Sequence, residues 1–321
     1  MNDLKLLRGT PTAICLLGSL TLAVAQTPPG FSALLREMDG KPLPRLENGA
    51  LCGVEPTSPR IYATTGNGAS MFSAEISIDG ATGLLLTSCA ASKEGKFAVS
   101  GGAFDSRGQA VSFIAFLDNT GRTQKVQRQS NFAITRLHFD GDSRLWAVGS
   151  APAMMRKKGD PMDLLVRVFT AEGTLTESID IPYAYDSGKL YRPAIASHVG
   201  STGKGLVILS PYWRELIFVA PGGGEVKKRS FEDPPNTRMI TGFAVSGASI
   251  FISVQGKDPS GGPRNVYSIH RWNDASGNWD KADFGSPTGQ HAILGALDDK
   301  LLAYTRSDVL WLPVAAQLSP Q

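Results

Sequence analysis

Five segments of the chain repeat one pattern: a small or apolar strand, a tight polar turn and a nearly continuous apolar strand. They are residues 88–102, 134–150, 196–210, 243–254 and 294–306. Second hairpins of similar build lie between them, at residues 113–126, 164–178, 216–228 and 267–280. Their Gly- and Asn-containing turns supply the positive φ angles that hairpin loops require. The pattern predicts paired hairpins in regular alternation, without long helices.

The spacing of these units indicates the architecture. With Phe97, Leu145, Leu206, Ile250 and Leu301 as equivalent points, the units follow one another at steps of 48, 61, 44 and 51 residues. A four-strand unit that recurs about every 40–50 residues is typical of propeller blades. An immunoglobulin-like sandwich also has many short strands, but it lacks this alternation of hairpins. We therefore predict an all-β fold, a single β-propeller of four-stranded blades.

The number of blades depends on an early strand that begins at Met71. If this strand supplies the missing outer strand of the last unit, it closes the ring and gives five blades. In that case, truncation of residues 1–80 abolishes cooperative folding, whereas truncation of residues 1–45 does not. If the runs that begin at Ala50, Arg60 and Met71 form a unit of their own, there are six blades. We favour six.

The two ends of the chain are expected to lie outside the propeller. Residues 1–25 have a basic start, an apolar run too short to cross a bilayer, and small residues at the end, which predicts a signal peptide cleaved after Ala25. Residues 26–57 are rich in Pro and Gly and are interpreted as a leader or linker, with one short helix at residues 32–38. The propeller is assigned to residues 58–315 and a tail to residues 316–321. We expect a periplasmic or secreted protein without a membrane span.

Two cysteines remain after removal of the signal peptide, Cys52 and Cys89. An even pair in an oxidising compartment makes them candidates for a disulfide. The alternative is that both are free and buried as small hydrophobic residues.

The charge of the chain excludes one class of partner. Its net charge is +3, from 32 basic and 29 acidic residues. The two short basic runs, residues 156–158 and 227–229, have the length of ordinary solvated loops. We therefore expect no nucleic-acid partner.

Residues 139–150 (FDGDSRLWAVGS) resemble the repeats of extracellular and periplasmic propellers, which carry an Asp-x-x-Gly-x-Leu-Trp type of turn and strand. The beta-transducin type is not indicated, because Gly-His and Trp-Asp pairs do not recur. Kelch repeats are not indicated either, because only Gly101-Gly102 directly follows an apolar strand. The resemblance implies a propeller over most of the mature chain and no particular family within that superfamily.

The sequence offers no catalytic set. His138, His198 and His291 fall on or near the first strands of their units, where they could surround an ion, although hydrogen bonding between blades is the simpler interpretation. Calcium-dependent propeller hydrolases need carboxylates near the axis, and here Asp140 and Asp142 sit in a hairpin turn. Ser210 closes a strand and has no nearby base in the sequence. We predict no catalytic residues, metal site or cofactor.

A ligand site is predicted at one mouth of the propeller channel. Arg192 and Arg238 begin the first strands of consecutive units, and Gln290 begins the first strand of the unit after them. Tyr185 and Tyr191 lie close to Arg192 in the sequence. Matching positions of a ring converge, and arginines with aromatic residues suit a polar or anionic ligand. The alternative is that the arginines brace neighbouring blades.

These observations favour an exported, non-enzymatic binding or scaffold propeller whose partner is a polar ligand or a protein. The alternative is a propeller hydrolase or lyase, with a metal ion as an option, whose residues are scattered over loops. The fold alone does not decide between them.

Overall fold

The chain is built from antiparallel hairpins. A computed structural model describes residues 27–151, 163–182, 198–211, 213–258, 265–284, 292–305 and 309–314. Over these residues, the longest helix is α1 (Pro29–Glu37), which overlaps the short helix predicted at residues 32–38. In the same ranges, no helix has the length and apolar character needed to cross a bilayer.

The first group of strands is an antiparallel meander near the start of the described chain. Its strands are β1 (Arg45–Glu47), β2 (Ala50–Glu55), β3 (Arg60–Thr64) and β4 (Met71–Glu75).

Four further groups are separate four-stranded sheets whose strands pair in chain order. The second group is β5 (Thr82–Ala91), β6 (Phe97–Phe104), β7 (Ala110–Leu117) and β8 (Thr123–Gln129). The third is β9 (Ala133–Phe139), β10 (Leu145–Ser150), β11 (Leu164–Phe169) and β12 (Leu175–Ile181). The fourth is β13 (His198–Thr202), β14 (Gly205–Ser210), β15 (Glu215–Val219) and β16 (Val226–Ser230). The fifth is β17 (Thr237–Ser246), β18 (Ser249–Lys257), β19 (Asn265–Asn273) and β20 (Asn278–Lys281).

The last group has three strands among the described residues: β21 (Ala292–Leu297), β22 (Lys300–Tyr304) and β23 (Val309–Pro313). β21 runs parallel to β1 and is bridged to it at Gly295 and Leu46, so the first and last groups form one seven-stranded sheet. Consecutive first strands (β1, β5, β9, β13, β17, β21) contact one another, and β21 returns to β1. The contacts form a ring, and the predicted all-β propeller is confirmed.

One alternative from the sequence is wrong. The Met71 strand does not close the last group, because β4 pairs with β3 along its length and lies at the opposite end of the seven-stranded sheet from β23. The described strands fall into six groups when the seven-stranded sheet is divided between β1 and β21, and the number of blades stays a prediction.

Helix α1 packs against both the first and the last group of strands. Phe31, Leu34, Leu35 and Met38 of α1 are buried in one cluster. That cluster also holds residues from the first group (Leu46, Leu51, Tyr62) and from the last (Leu294, Leu302, Trp311). We call this junction the seam.

The seam corrects the predicted domain boundary. β1 and β2 belong to the sheet although they lie within residues 26–57, so the propeller begins before residue 58 and this stretch is not only a leader. The burial of α1 also removes the basis for expecting truncation of residues 1–45 to be harmless. The predicted signal peptide (1–25) and tail (316–321) lie outside the described residues.

Burial follows position within each group. Every residue of the second strands β10 and β14 is buried, whereas the outer strand β16 is exposed throughout. A strand covered on both faces loses its alternation of apolar and polar residues, which explains the continuous apolar runs in the sequence.

Several hairpin turns share one local structure. In Asp105, Asp118 and Asp140, the side-chain oxygen Oδ1 accepts hydrogen bonds from the backbone amides two and four residues later. Such aspartates mimic backbone turn acceptors and favour tight turns. The interpretation of Asp140 as a turn residue is therefore correct.

Glycine allows the first strands to approach closely at the axis. A Cβ atom at Gly295 would collide with the carbonyl oxygen of Leu46 on β1. A Cβ atom at Gly242 of β17 would collide in the same way with the carbonyl oxygen of Ile293 on β21. Larger residues at either position would push neighbouring groups apart.

Cys52 and Cys89 are joined by a disulfide, with their Cα atoms 6.1 Å apart. The bond links β2 of the first group to β5 of the second.

His270 is a buried titratable group in the fifth group. Its side chain is 7% exposed, and its Nε2 atom lies 2.8 Å from the Ser268 hydroxyl oxygen. Burial, and secondly the positive charge of Lys281, lowers the pKa of His270 from 6.5 to about 4. His270 is therefore neutral in the folded protein at neutral pH.

This pKa predicts a pH-dependent loss of stability. Between pH 6.5 and pH 4 the unfolded chain binds a proton at His270 and the folded chain does not, so stability falls as the pH falls. We expect His270 to lower the free energy of unfolding by about 2–3 kcal/mol between pH 7 and pH 4.5. In urea unfolding, the free energy of unfolding of His270→Gln should fall by that much less than that of the wild-type protein over this pH range. The same pH dependence in both proteins would contradict the prediction.

Candidate functional site

Two cavities lie on the axis of the ring, one at each end of the first strands. The strand-start cavity has a volume of about 430 Å³ and is lined by residues such as Leu43, Arg136, His198 and Met239. The strand-end cavity has a volume of about 350 Å³ and is lined by residues such as Glu47, His138 and Ser201. Arg45, Phe243 and Leu294 line both cavities, and we refer to the two cavities together as the axial channel.

Two arginines place positive charge inside this channel. Arg45 of β1 crosses it, and its Nη2 atom donates a hydrogen bond to the carbonyl oxygen of Val199 on β13 at 2.6 Å. Its Nη1 atom is buried and has no hydrogen-bond partner within the described part of the chain. Arg136 of β9 donates from Nη1 to the carbonyl oxygen of Thr135 at 2.8 Å.

The pKa values of the two arginines show that burial and mutual repulsion disfavour their charged forms. Burial, and secondly the charge of Arg45, lowers the pKa of Arg136 to about 10. Burial also lowers the pKa of Arg45, while the carboxylate of Glu47 works in the opposite direction. Two partly desolvated guanidinium groups that repel each other favour an anion between them.

Three side chains lie in a row at the strand-end cavity, and one of the two contacts between them is a hydrogen bond. The Nε2 atom of His138 is 2.8 Å from the hydroxyl oxygen of Ser201, and its Nδ1 atom is 3.2 Å from Oε1 of Glu47. Glu47 and His138 are 6% and 8% exposed, whereas Ser201 is partly exposed. The contact between Glu47 and His138 is close but not aligned as a hydrogen bond, because Nδ1 and both Glu47 oxygens lack such a partner among the described residues.

The acidic residues beside this cavity are held in place by their own turn. Oδ2 of Asp140 accepts hydrogen bonds from Nε1 of Trp146 and Nε of Arg144, both at 2.8 Å. Burial raises the pKa of Asp140, but the hydrogen bonds from Trp146 and Arg144 outweigh it and lower the pKa below its usual value. Asp142 is paired with Arg144 at 3.2 Å. These carboxylates stabilise the hairpin.

Of the five residues predicted at the channel mouth, the structure describes one, Arg238. Arg238 is exposed at the start of β17, next to Met239, which lines the strand-start cavity. Arg192, Gln290, Tyr185 and Tyr191 lie outside the described residues, so the site proposed for them stays a prediction.

Of the three histidines predicted near the first strands, the two that the structure describes, His138 and His198, line different cavities. His138 lines the strand-end cavity and His198 the strand-start cavity, while His291 lies outside the described residues. Over the described ranges, no group of three or more His, Cys, Asp or Glu side chains is arranged to hold a metal ion.

Sequence reasoning missed Arg45, Glu47, Arg136 and Ser201. Arg45 and Glu47 lie in a Pro-rich stretch that is typical of a linker, and β1 is only three residues long. Ser201 precedes a turn, where serine is common for local reasons. The available signal was the alternation Arg45, Glu47, which puts two charged side chains on one face of a strand.

Comparison with known proteins adds no family. No family model and no curated protein matches this sequence. Among solved structures, a luciferin-regenerating enzyme is 12% identical with a TM-score of 0.48, covering 84% of this chain and 89% of that chain. A puromycin hydrolase is 16% identical with a TM-score of 0.48, covering 84% of this chain and 42% of that chain. The β-propeller domain of the trilobed protease from Pyrococcus furiosus is 14% identical with a TM-score of 0.43, covering 83% of this chain and 78% of that chain.

At these identities and TM-scores the likenesses carry no conclusion about this chain. By its own strand pairing, the chain is an all-β propeller with a cavity at each end of its first strands.

Proposed function

We propose that this protein is an exported propeller that binds a small anionic ligand in its axial channel. The observation that carries the proposal is the pair Arg45 and Arg136, whose charges act on each other within the channel while one nitrogen of Arg45 is buried without a hydrogen-bond partner in the described chain. A carboxylate or phosphate would satisfy that donor and offset the repulsion.

Export is part of the proposal. The signal-like residues 1–25 support it, and the disulfide between Cys52 and Cys89 supports an oxidising compartment. The mouth residues Arg192, Arg238, Gln290, Tyr185 and Tyr191 are proposed to guide the ligand from the strand-start side. A scaffold role toward a protein partner is the alternative within the same class.

Arg136→Gln should weaken anion binding. Because charge-assisted hydrogen bonds contribute about 1.5–3 kcal/mol, we expect the dissociation constant for a bound anion to rise by about 10- to 150-fold. Isothermal titration calorimetry with phosphate, succinate, adipate and citrate, and with neutral glucose, measures this directly.

The matched control is Arg229→Gln, which removes the same charge from the exposed outer strand β16. It should bind each anion as the wild-type protein does. If none of the four anions binds, or if Arg136→Gln and Arg229→Gln behave alike, the channel is not an anion site.

A further inference from the structure

A serine, a histidine and a glutamate from three different strands meet at the wall of the strand-end cavity. The Ser201 hydroxyl lies 2.8 Å from one ring nitrogen of His138, and the other nitrogen lies 3.2 Å from the Glu47 carboxylate. In hydrolases of unrelated folds, a serine nucleophile is activated by a histidine base, which is oriented by a carboxylate in the same order. We propose that Ser201, His138 and Glu47 form a nucleophilic triad that hydrolyses esters of small anionic acids in the axial channel.

The burial of the three residues fits these roles. Ser201 is partly exposed and lines the cavity, so its hydroxyl can meet a substrate. His138 and Glu47 lie behind it and are nearly inaccessible to solvent. A shielded carboxylate stabilises the imidazolium ion more strongly than one in water would.

The backbone of β13 supplies a donor for the oxyanion. Among the described residues, β13 is the first strand of its group and pairs with β14 alone. The Val199 carbonyl accepts from Arg45 across the channel, so the polar backbone groups of Val199 face away from β14. Because antiparallel pairing alternates along a strand, the N–H of Ser201, two residues later, faces the channel as well. A donor on the nucleophile's own residue is a common half of an oxyanion hole.

The position of Arg45 suggests the substrate class, and this part rests on the proposed function. Arg45 is anchored at Val199, about 6–7 Å from Ser201 along the strand. An acid whose ester carbonyl lies at Ser201 can therefore place a second, anionic group near Arg45. A half-ester of a dicarboxylic acid with a chain of about six carbons has the required span.

The reaction balances without a cofactor. As Oγ of Ser201 attacks the ester carbonyl carbon, its proton passes to Nε2 of His138. The bond from the carbonyl carbon to the alcohol oxygen then breaks, and His138 returns the proton to the leaving alcohol. His138 then takes a proton from water, whose oxygen attacks the carbonyl carbon of the acyl group on Ser201. The bond from that carbon to Oγ breaks, Oγ takes the proton back from His138, and the free acid leaves.

The test compares two esters and a covalent reagent on the purified protein. The esters are neutral 4-nitrophenyl butyrate and anionic mono-4-nitrophenyl adipate, and the reagent is a fluorophosphonate located by peptide mass spectrometry. We expect the adduct on Ser201, and a loss of turnover by about a thousandfold or more in Ser201→Ala and His138→Gln. Glu47 acts as a positioning residue, so Glu47→Gln should lower kcat and the labelling rate while KM stays unchanged.

Ser210→Ala is the matched control, because Ser210 is a buried serine on the neighbouring strand β14 and lies outside the triad. It should keep full turnover and labelling. Absence of an adduct on Ser201, or equal turnover in Ser201→Ala and wild type, overturns the triad even if calorimetry detects anion binding. Labelling of Ser201 with hydrolysis of only the neutral ester keeps the triad and overturns the anionic substrate class.

Discussion

Replacing Asp140 with alanine is expected to lower the free energy of unfolding by about 2–4 kcal/mol, because it leaves the buried N–H of Trp146 without an acceptor and removes a carboxylate partner of the partly exposed Arg144. The carboxylate is 4% exposed, and Oδ2 accepts from the Trp146 indole and the Arg144 guanidinium, both at 2.8 Å. Trp146 is fully buried, so its N–H has no water to replace the lost acceptor. Guanidinium unfolding followed by circular dichroism measures the loss.

The matched control is Asp118→Ala. Asp118 accepts hydrogen bonds from the two equivalent turn amides, those of Thr120 at 2.9 Å and Arg122 at 3.0 Å. Unlike Asp140, it accepts no hydrogen bond from a buried indole among the described residues. Its removal should therefore cost clearly less than removal of Asp140. Equal losses in the two variants would show that the turn amides, rather than Trp146 and Arg144, determine the effect.

Phe31→Ala is expected to destabilise the protein by about 3–5 kcal/mol, the range for truncation of a buried aromatic residue. Phe31 is 1% exposed, lies beside Gly68, and has its ring centroid 6.2 Å from that of Trp311. The cavity would open at the seam, where α1 contacts both the first and the last group. Thermal and guanidinium unfolding measure the change.

Arg36→Ala tests the opposite face of the same helix. Arg36 is exposed, so its replacement should change stability little. If Phe31→Ala were as stable as Arg36→Ala, the helix would be dispensable, as the interpretation of residues 26–57 as a leader requires.

The sequence predicts those parts of the fold that depend on neighbouring residues. Asp118 and Asp140 each fix a turn through amides only two and four residues away, so the hairpins can be read directly from the chain. Their repetition is sufficient to predict a propeller.

The candidate site depends on contacts that leave no local pattern. Arg45 meets Val199 across 154 residues of sequence, and His138 meets Ser201 across 63. β1 gives only a weak strand signal because it is three residues long and buries a carboxylate. Only the closure of the ring brings these side chains together, and spacing along the chain does not encode that closure.

The seam has a consequence for how the protein is made. Leu46 of β1 is synthesised early, while its partner Gly295 on β21 emerges about 250 residues later. At a synthesis rate of about 5–20 residues per second, the apolar face of α1 waits roughly 10–50 s for its partners. During that interval the other groups can form their hairpins, but the helix has only half of its binding surface. The seam is therefore completed only after the last hairpin has been made.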